Sequence, residues 1–355
     1  MDAQTERMEK LSQALIPWFL KEKRAMPWRE DPTPYHVWVS EIMLQQTRVD
    51  TVIPYYTRFI ASLPDVQALS ACPEDRLYKL FEGLGYYSRA RHMQEAARMI
   101  LTQYGCVFPD REEALLKLPG IGSYTAGAIL SIAMNQPVPV VDGNVLRVYA
   151  RIFGDESDIS AEGTKKAFAG VLGTYLKTSG VSPSYFNQGL MELGALLCLP
   201  NGTPRCVLCP AAGFCLAHLT GRTAVLPVKS GKKAREIKEK TVFLITKEDR
   251  ILIGKRTAPG LLSGLYGFPM ADAFLDEEDA RAFLRRLGFS EVVLTEAEEE
   301  KHVFTHVTWR MRAYRAEVRT EGGEECLKEQ GFFFAGKEAL SEEYALPGAF
   351  RKWEI

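Results

Sequence analysis

The chain has 355 residues, of which 46% are hydrophobic and 25% charged, and its formal net charge is −1. This length suffices for two or three domains with buried cores, and the composition is ordinary for a soluble protein. The sequence shows no long uninterrupted apolar run and no signal-peptide layout, so we expect a cytoplasmic protein without a membrane span.

The first part of the chain, from Arg7 to about Thr220, has the apolar periodicity of helices, with short Pro/Gly breaks between segments. Residues 221–240, GRTAVLPVKSGKKAREIKEK, then hold seven basic and two acidic side chains. Such a run is typical of a solvated linker, and a tether that touches phosphates is the alternative interpretation. We predict an all-α region at 1–220 and a basic linker at 221–240.

The sequence pattern changes from helical periodicity to strand-like segments after Lys240. TVFLITKEDRILIGKRT predicts two strands joined by a polar turn, and THVTWRMRAYRAEVR predicts another strand. DEEDARAFLRRLGF predicts a helix. We therefore expect a multidomain protein in which residues 241–355 form a smaller α+β domain.

A glycine turn precedes a predicted helix in LPGIGSYTAGAI. Gly120 and Gly122 would allow a tight turn and close backbone approach, and the helix from Ser123 to Met134 would present free N–H groups. A DNA phosphate suits such a helix end. An ordinary connection between two helices is the alternative, since it needs glycine too.

Seven cysteines occur, and four fall in one short segment with the spacing C-x7-C-x2-C-x5-C: Cys198, Cys206, Cys209 and Cys215. Four thiolates so close in sequence can surround one soft metal centre. Zinc sites more often use two C-x2-C pairs, whereas a 4Fe–4S cluster tolerates irregular spacing. The segment predicts a structural metal centre, with 4Fe–4S favoured.

Two carboxylates stand out. Asp142, in VPVVDGNVLRV, is expected to cap the helix that follows an extended apolar run. Glu41, in YHVWVSEIMLQQT, falls on the apolar face of a predicted helix, where burial would raise its pKa toward that of a general acid. Position alone favours the alternative, a Glu at the edge of that face with its carboxylate in solvent. A raised-pKa acid and an ionised Asp together are the pair used in glycosidic cleavage.

Aromatic and basic residues alternate at MPWRE and GLGYYSRAR. Stacking surfaces beside cations suit bases beside phosphates. For each residue taken singly, a core aromatic with a surface Arg remains the simpler interpretation.

In combination, these motifs resemble one family. LPGIGSYTA resembles the helix–hairpin–helix of the endonuclease III superfamily of DNA glycosylases, and VDGNVLRV and the four-Cys segment resemble its catalytic helix and iron–sulfur loop. MPWR, SEIMLQQTRV, GLGYYSRA and FNQGLMELGA resemble the MutY family of adenine DNA glycosylases. A second domain after a basic linker also fits that family, so the resemblance covers nearly the whole chain.

The resemblance implies a fold, an activity and roles for residues. MutY proteins remove adenine mispaired with 8-oxoguanine in duplex DNA. Glu41 matches the acid that protonates adenine at N7, and Asp142 matches the carboxylate that stabilises or traps the oxocarbenium ion. Asn144 and Tyr124 match residues that orient this chemistry. Tyr124 also occupies the position of the lysine that cuts the strand in bifunctional relatives, which implies a mainly monofunctional enzyme.

The resemblance also implies residues that contact the nucleotides. The adenine pocket would be formed by Arg24, Trp28, Gln188 and Met191. Residues that match elements wedging into the duplex or contacting DNA and the lesion are Arg29, Gln46, Thr47, Leu84, Tyr86, Gly120 and Gly122.

The C-terminal domain resembles the MutT-like, or Nudix, domain of MutY proteins. The region near DEEDARAFLRRLG lacks the R-E-x-x-E-E core with which Nudix hydrolases hold magnesium, which implies recognition and not hydrolysis. Phe304, Thr305 and His306 match the family's Phe-Ser-His loop that recognises 8-oxoguanine, with Thr305 in place of serine. The first cysteine spacing is seven residues where the family usually has six.

We accordingly expect a 4Fe–4S cofactor, a double-stranded DNA partner carrying adenine opposite 8-oxoguanine, and a monomer associated with the nucleoid if the source is bacterial. One alternative is a thymine or other mismatch glycosylase on the same scaffold. The other is a binding protein that senses lesions without catalysis. The Phe-Thr-His motif disfavours the first, and the presence of both Glu41 and Asp142 disfavours the second.

Overall fold

The computed structural model describes residues 3–231, 234–258, 260–318 and 324–353, with the side chains of 296–298 and 324–325 excepted. The chain forms two compact units. The first comprises residues 1–71 and 91–231, and the second comprises 72–90 and 232–355. Lys232 and Lys233 of the predicted basic linker lie outside the described residues.

The first unit is helical. Its helices are α1 (Ala3–Glu22), α2 (Pro27–Glu30), α3 (Pro34–Leu44), α4 (Val49–Ser62), α5 (Val66–Ala71), most of α7 (Ser88–Tyr104), α8 (Glu112–Leu115), α9 (Ser123–Ala128), α10 (Gly143–Phe153), α11 (Glu162–Thr178), α12 (Pro183–Leu196) and α13 (Leu216–Leu219). A core that includes α1, α10, α11 and α12 contains the fully buried Leu15, Val145, Leu172 and Phe186.

Capping residues fix the start of the helices that carry the site. Thr33 accepts a hydrogen bond from the backbone N–H of His36 at the start of α3, and Ser182 accepts one from Tyr185 at the start of α12. Asp142 caps α10, as predicted, by accepting from the backbone N–H of Val145. Each cap satisfies a backbone donor that the first helical turn leaves free.

The helix predicted from Ser123 to Met134 changes its winding halfway. It is α-helical through Ala128 and continues as a π-helix over Ile129–Ala133. Tight packing accompanies this change, because a Cβ atom on Gly127 would lie 2.8 Å from the carbonyl oxygen of Pro139.

The second unit contains a mixed sheet. Its strands are β1 (Glu236–Lys247), β2 (Arg250–Lys255), β3 (Tyr266–Gly267), β4 (Met270–Ala271), β5 (Val292–Val303), β6 (Val307–Val318) and β7 (Phe332–Gly336), and its helices are α6 (Glu74–Phe81), α14 (Glu277–Arg286), α15 (Glu324–Glu329) and α16 (Lys337–Glu342). The strand order is β3-β2-β1-β6-β5, with β4 beside β1 and β7 beside β2. β1 and β6 are parallel, and the other pairs are antiparallel.

Alternate residues of β1 enter two hydrophobic cores. Val242 and Leu244 pack in the core that includes Phe350 and Trp353 near the C-terminus, whereas Phe243 and Ile245 pack with α14. This period-2 burial on both sides of the strand explains why residues 242–245, in the middle of β1, are all apolar.

The segment 72–90 of the second unit is tied to the C-terminal part of the chain by polar contacts. Lys79 donates to the backbone oxygens of Leu340 and Tyr344 at 3.1 and 3.3 Å. Asp75 forms an ion pair with Lys255 at 2.7 Å, and Glu82 accepts from the backbone N–H of Leu346.

The predicted fold class is confirmed: a helical region is followed by an α+β domain, and the strands and the helix predicted after Lys240 are present. Among the described residues, no helix is both long enough and apolar enough to cross a membrane. The division into 1–220, 221–240 and 241–355 stays a prediction. β1 begins at Glu236, inside the stretch predicted as a linker.

Candidate active site

A cavity of about 460 Å³ lies in the first unit, among α2, α3, α9, α12 and the start of α10. Its lining brings together residues that are far apart in sequence: Trp28, Glu41, Tyr124, Asp142, Asn144 and Gln188. The three ionisable groups predicted for catalysis therefore share one concave site.

Glu41 is buried, with only 7% of the residue exposed, so its carboxylate does not project into solvent. The hydroxyl of Tyr124 donates a 2.7 Å hydrogen bond to its Oε2. Burial raises the pKa of Glu41 to about 7, the hydrogen bond from Tyr124 opposes this, and the charges of Asp142 and Arg29 respectively raise and lower it. A carboxyl group that keeps its proton near neutral pH can act as a general acid.

Asp142 is held by donors at the mouth of α10. Its Oδ1 accepts from the backbone N–H of Val145 and its Oδ2 from the side-chain amide of Asn144, both at 2.7 Å. Arg147 in turn donates to Oδ1 of Asn144 at 2.8 Å, which fixes the amide so that its NH2 faces Asp142. Burial raises the pKa of Asp142, and the hydrogen bonds favour its charged form.

The two carboxyl groups thus differ in surroundings. Glu41 accepts from one phenol, whereas Asp142 accepts from two N–H donors at a helix start. Burial raises the pKa of both groups, and at Asp142 the two donors and the helix dipole oppose this by favouring the anion. Acid-assisted cleavage of a glycosidic bond needs one protonated and one ionised carboxyl group, and the stronger donation to Asp142 favours Glu41 as the protonated one.

The four residues predicted for the adenine pocket all line this cavity: Arg24, Trp28, Gln188 and Met191. Trp28 is buried and meets the ring of Tyr56 edge-on at 5.2 Å. The sulfur of Met191 lies 3.6 Å from the hydroxyl of Tyr124. The structure adds Glu192, which the sequence analysis did not single out although it follows Gln188 by one helical turn.

Of the residues predicted to contact DNA, Arg29 and Thr47 also line the cavity. Gln46 lies beside Thr47, directly after α3, and has a left-handed backbone with φ +59°. For a residue other than glycine this conformation is uncommon.

The glycine turn before α9 has unequal requirements at its two glycines. Gly120 has φ +75°, and a Cβ atom there would lie 2.8 Å from Cβ of His92. Gly122 has an extended backbone with φ −95° and open space at its Cβ position, and it serves as the N-cap of α9. Both the backbone angle and the close contact therefore require glycine at position 120, whereas neither requires it at position 122.

The residues predicted to read the lesion lie in the second unit. Phe304, Thr305 and His306 form the short turn between β5 and β6, and the ring of Phe304 meets that of Trp309 at 4.9 Å. The hydroxyl of Tyr86 is hydrogen-bonded to that of Thr305, and Tyr86 has a left-handed backbone with φ +49°.

Leu84 precedes Tyr86 in the same loop and is 5% exposed. Its backbone oxygen accepts from the guanidinium of Arg89 at 3.1 Å. A largely buried leucine presents little side-chain surface in this conformation for insertion into a duplex.

The four clustered cysteines line one small cavity in the first unit, and none forms a disulfide. Arg151 approaches the sulfur of Cys198 at 3.3 Å and donates to the backbone oxygen of Leu199 at 2.9 Å. Among the described residues, no group of three or more His, Cys, Asp or Glu side chains is placed to hold a single metal ion.

Comparisons with known proteins identify the family of each part of the chain. Residues 39–173 match the model of the HhH-GPD superfamily of base excision DNA repair proteins, and residues 241–353 match that of the NUDIX domain. The chain is 34% identical over 302 residues to an adenine DNA glycosylase of Buchnera aphidicola subsp. Baizongia pistaciae, covering 83% of each chain.

Solved structures share the fold of the helical part. A thermostable thymine-DNA glycosylase matches with a TM-score of 0.56 and 27% identity, over 62% of this chain and 100% of that one. Endonuclease III in a non-covalent DNA complex matches with a TM-score of 0.50 and 19% identity, over 62% and 99%.

Proposed function

The chain belongs to the adenine DNA glycosylases, and we propose that it removes adenine mispaired with 8-oxoguanine, or with guanine, in double-stranded DNA. One observation carries the proposal: Glu41, Tyr124 and Asp142 converge in a cavity whose wall carries Trp28 and Gln188. A base inside a duplex cannot reach such a cavity, so the adenine must leave the stack.

In this reaction Glu41 is the general acid. Its raised pKa keeps a proton available near neutral pH, and transfer of that proton to N7 of adenine makes the base a better leaving group. The hydroxyl of Tyr124 holds Oε2, which orients the carboxyl group.

Asp142 faces the positive charge that develops on the sugar as the base departs. Its carboxylate stabilises the oxocarbenium ion or forms a transient bond to the anomeric carbon, after which water completes hydrolysis. Asn144 and the N–H of Val145 keep this carboxylate in place. Since Tyr124 offers no amine, strand cleavage through a Schiff base is not expected to be efficient.

We further propose that the second unit reads the lesion. The turn at Phe304, Thr305 and His306 is joined by Thr305 to Tyr86, so that two elements of the predicted lesion contact are already associated. The turn at Gly120 and the start of α9 would approach a DNA phosphate. We expect the protein to act as a monomer on chromosomal DNA.

The four cysteines are proposed to bind a 4Fe–4S cluster. In such a cluster each thiolate binds a different iron, so the sulfurs stand farther apart than around one zinc ion. All four thiols line one cavity in the first unit, so they could bind the irons of one shared cluster. When bound, the cluster would hold the loop 198–215 in a fixed conformation.

A glycosylase assay tests the proposal. The purified protein is given duplexes with adenine opposite 8-oxoguanine, adenine opposite guanine, or thymine opposite guanine, and base release is measured by alkaline cleavage of the abasic product. We expect release of adenine, fastest opposite 8-oxoguanine. Preferential release of thymine would indicate a mismatch glycosylase of another specificity. Tight binding without release of any base would indicate a lesion sensor.

A further inference from the structure

Glu192 lies on α12, one turn after Gln188, and only 1% of its side chain is exposed. A buried carboxylate is costly unless it is paired, so its partners show what it does.

Both oxygens of Glu192 are taken up by two arginines. Arg24 donates its backbone N–H and Nε to Oε1, each at 2.9 Å, and Nη2 to Oε2 at 3.0 Å. Arg29 donates Nη2 to Oε2 at 2.9 Å and Nη1 to Oε1 at 3.3 Å. Burial disfavours the charge of Glu192, but the hydrogen bonds from Arg24 and Arg29 outweigh this and hold its pKa at about 2. The carboxylate is therefore ionised at every pH at which the protein would act.

The contacts continue from Arg29 into the predicted adenine pocket. Its Nε donates to Oε1 of Gln188 at 3.1 Å, and Nε2 of Gln188 donates to the hydroxyl of Ser184 at 3.2 Å. These two bonds fix which way the Gln188 amide points. Glu192 thus fixes the position of the Arg29 guanidinium, and Arg29 fixes the orientation of the Gln188 amide.

Glu192 also compensates charge near the acid. Glu41 is faced by Tyr124 from α9, by Asp142 from the start of α10 and by Arg29 from α2. The other charged side chains that line the cavity are Arg24, Arg48, Asp50 and Glu192. The charge of Arg29 lowers the pKa of Glu41, and an ionised Glu192 bound to Arg29 reduces that effect.

We propose that Glu192 is a positioning residue that holds Arg24 and Arg29 at the cavity wall and orients Gln188 through Arg29. Its negative charge also compensates the charge of Arg29, so that Glu41 retains its proton. This inference rests on the proposed adenine release, in which Glu41 is the acid.

The substitutions follow from these contacts. Glu192→Gln keeps the shape and removes the charge, so Arg29 is uncompensated and Glu41 should lose its proton at lower pH. Glu192→Asp keeps the charge and shortens the reach. Arg29→Gln removes the cation itself and should shift Glu41 in the opposite direction. Glu156→Gln is a matched control, since Glu156 pairs with Arg222 at 2.7 Å and does not line the cavity.

The experiment measures the single-turnover rate of adenine release from an adenine:8-oxoguanine duplex between pH 5 and 9. In parallel, infrared difference spectra titrate the protonated carboxyl group of Glu41, assigned by its loss in Glu41→Gln. The second readout needs no activity, so failure of the proposed function and failure of this inference are distinguished.

We expect the alkaline limb of the rate profile and the infrared titration of Glu41 to move down together in Glu192→Gln, by roughly 0.5 to 1 pH unit. In Glu192→Asp the alkaline limb should keep its position on the pH axis, but the plateau rate should be lower. In Glu156→Gln both the limb and the plateau rate should be unchanged. In Arg29→Gln the titration should move up. Should Glu192→Gln fail to fold, Glu192→Asp tests the positioning role, and a plateau rate equal to that of the unaltered protein would overturn it. A folded Glu192→Gln in which Glu41 titrates as in the unaltered protein, or an Arg29→Gln that leaves this titration unmoved, overturns the inference.

Discussion

The hydroxyl of Tyr124 donates a 2.7 Å hydrogen bond to Oε2 of Glu41, joining the start of α9 to the middle of α3. This bond opposes burial, because it favours the charged form of Glu41 and so lowers its pKa. Tyr124 therefore has two effects on the acid: it orients the carboxyl group and limits how far its pKa rises.

Tyr124→Phe separates these effects. With a pKa of about 7, Glu41 in the unaltered protein should lose its proton, and the rate should fall, as the pH rises through about 7. Without the phenol the pKa of Glu41 should rise, so the fall in single-turnover rate should begin at higher pH. A profile that begins to fall at the same pH would mean that Glu41 is not the group that titrates.

Glu41→Gln and Asp142→Asn should each remove catalysis without removing binding. The amide that replaces Glu41 is not acidic enough to protonate the base, and the neutral amide that replaces Asp142 does not stabilise the positive charge on the sugar. We expect each to lose several powers of ten in single-turnover rate, on the order of 4 kcal/mol or more. Binding to lesion DNA, measured by gel shift, should survive because phosphate contacts dominate affinity. Near-normal cleavage by either variant would remove that residue from the mechanism.

Phe304→Ala and His306→Ala test the lesion reader. The turn that carries them lies in the second unit, and neither residue lines the cavity with Glu41. We expect the preference for adenine opposite 8-oxoguanine over adenine opposite guanine to fall, with a smaller loss in the rate on the guanine mispair. Equal losses on the two duplexes would show that the turn only supports the fold.

The metal centre is tested by composition. We expect the purified protein to be brown and to contain about four iron and four sulfide per chain. Cys206→Ser removes one thiolate and should reduce the iron content. Stoichiometric zinc without iron would contradict the assignment.

Tyr124→Lys tests whether position 124 faces the reacting sugar. A lysine at the start of α9 would lie in the buried site, and burial together with the helix N-terminus would lower the pKa of its amine. The free amine could attack the sugar carbon left by adenine. We expect borohydride-trapped complexes and strand cleavage, read by denaturing electrophoresis, and little of either in the unaltered protein. A folded variant that binds DNA and is not trapped would place residue 124 away from that carbon.

Local signals made part of this site predictable. The cap at Asp142 follows from an extended run ending in Asp-Gly before an amphipathic stretch, and the N-cap preference operates within three residues. The burial of Glu41 was not decidable from its helix, because the same periodicity places a Glu within the apolar face or at its edge. Its hydrogen-bond partner, Tyr124, is 83 residues away in sequence, so no local pattern reveals the contact.

Glu192 shows where sequence reasoning stops. A Glu in LMELGA resembles any solvated helix residue, and its burial is made possible by two arginines at sequence distances of 168 and 163. Pairing over such distances has no local pattern. The same holds for the segment 72–90, whose periodicity predicts a helix and carries no sign of the unit to which it belongs.

That segment has a consequence for synthesis of the chain. The first unit is complete when residue 231 has been made, but the residues that contact Lys79 and Glu82 are near the C-terminus. At roughly 5–20 residues per second, the remaining 124 residues take on the order of 6 to 25 s. During that interval α6 is already outside the ribosome but lacks its final partners, so in a nascent chain the loop with Tyr86 should be the last part of the N-terminal 231 residues to become protected from protease.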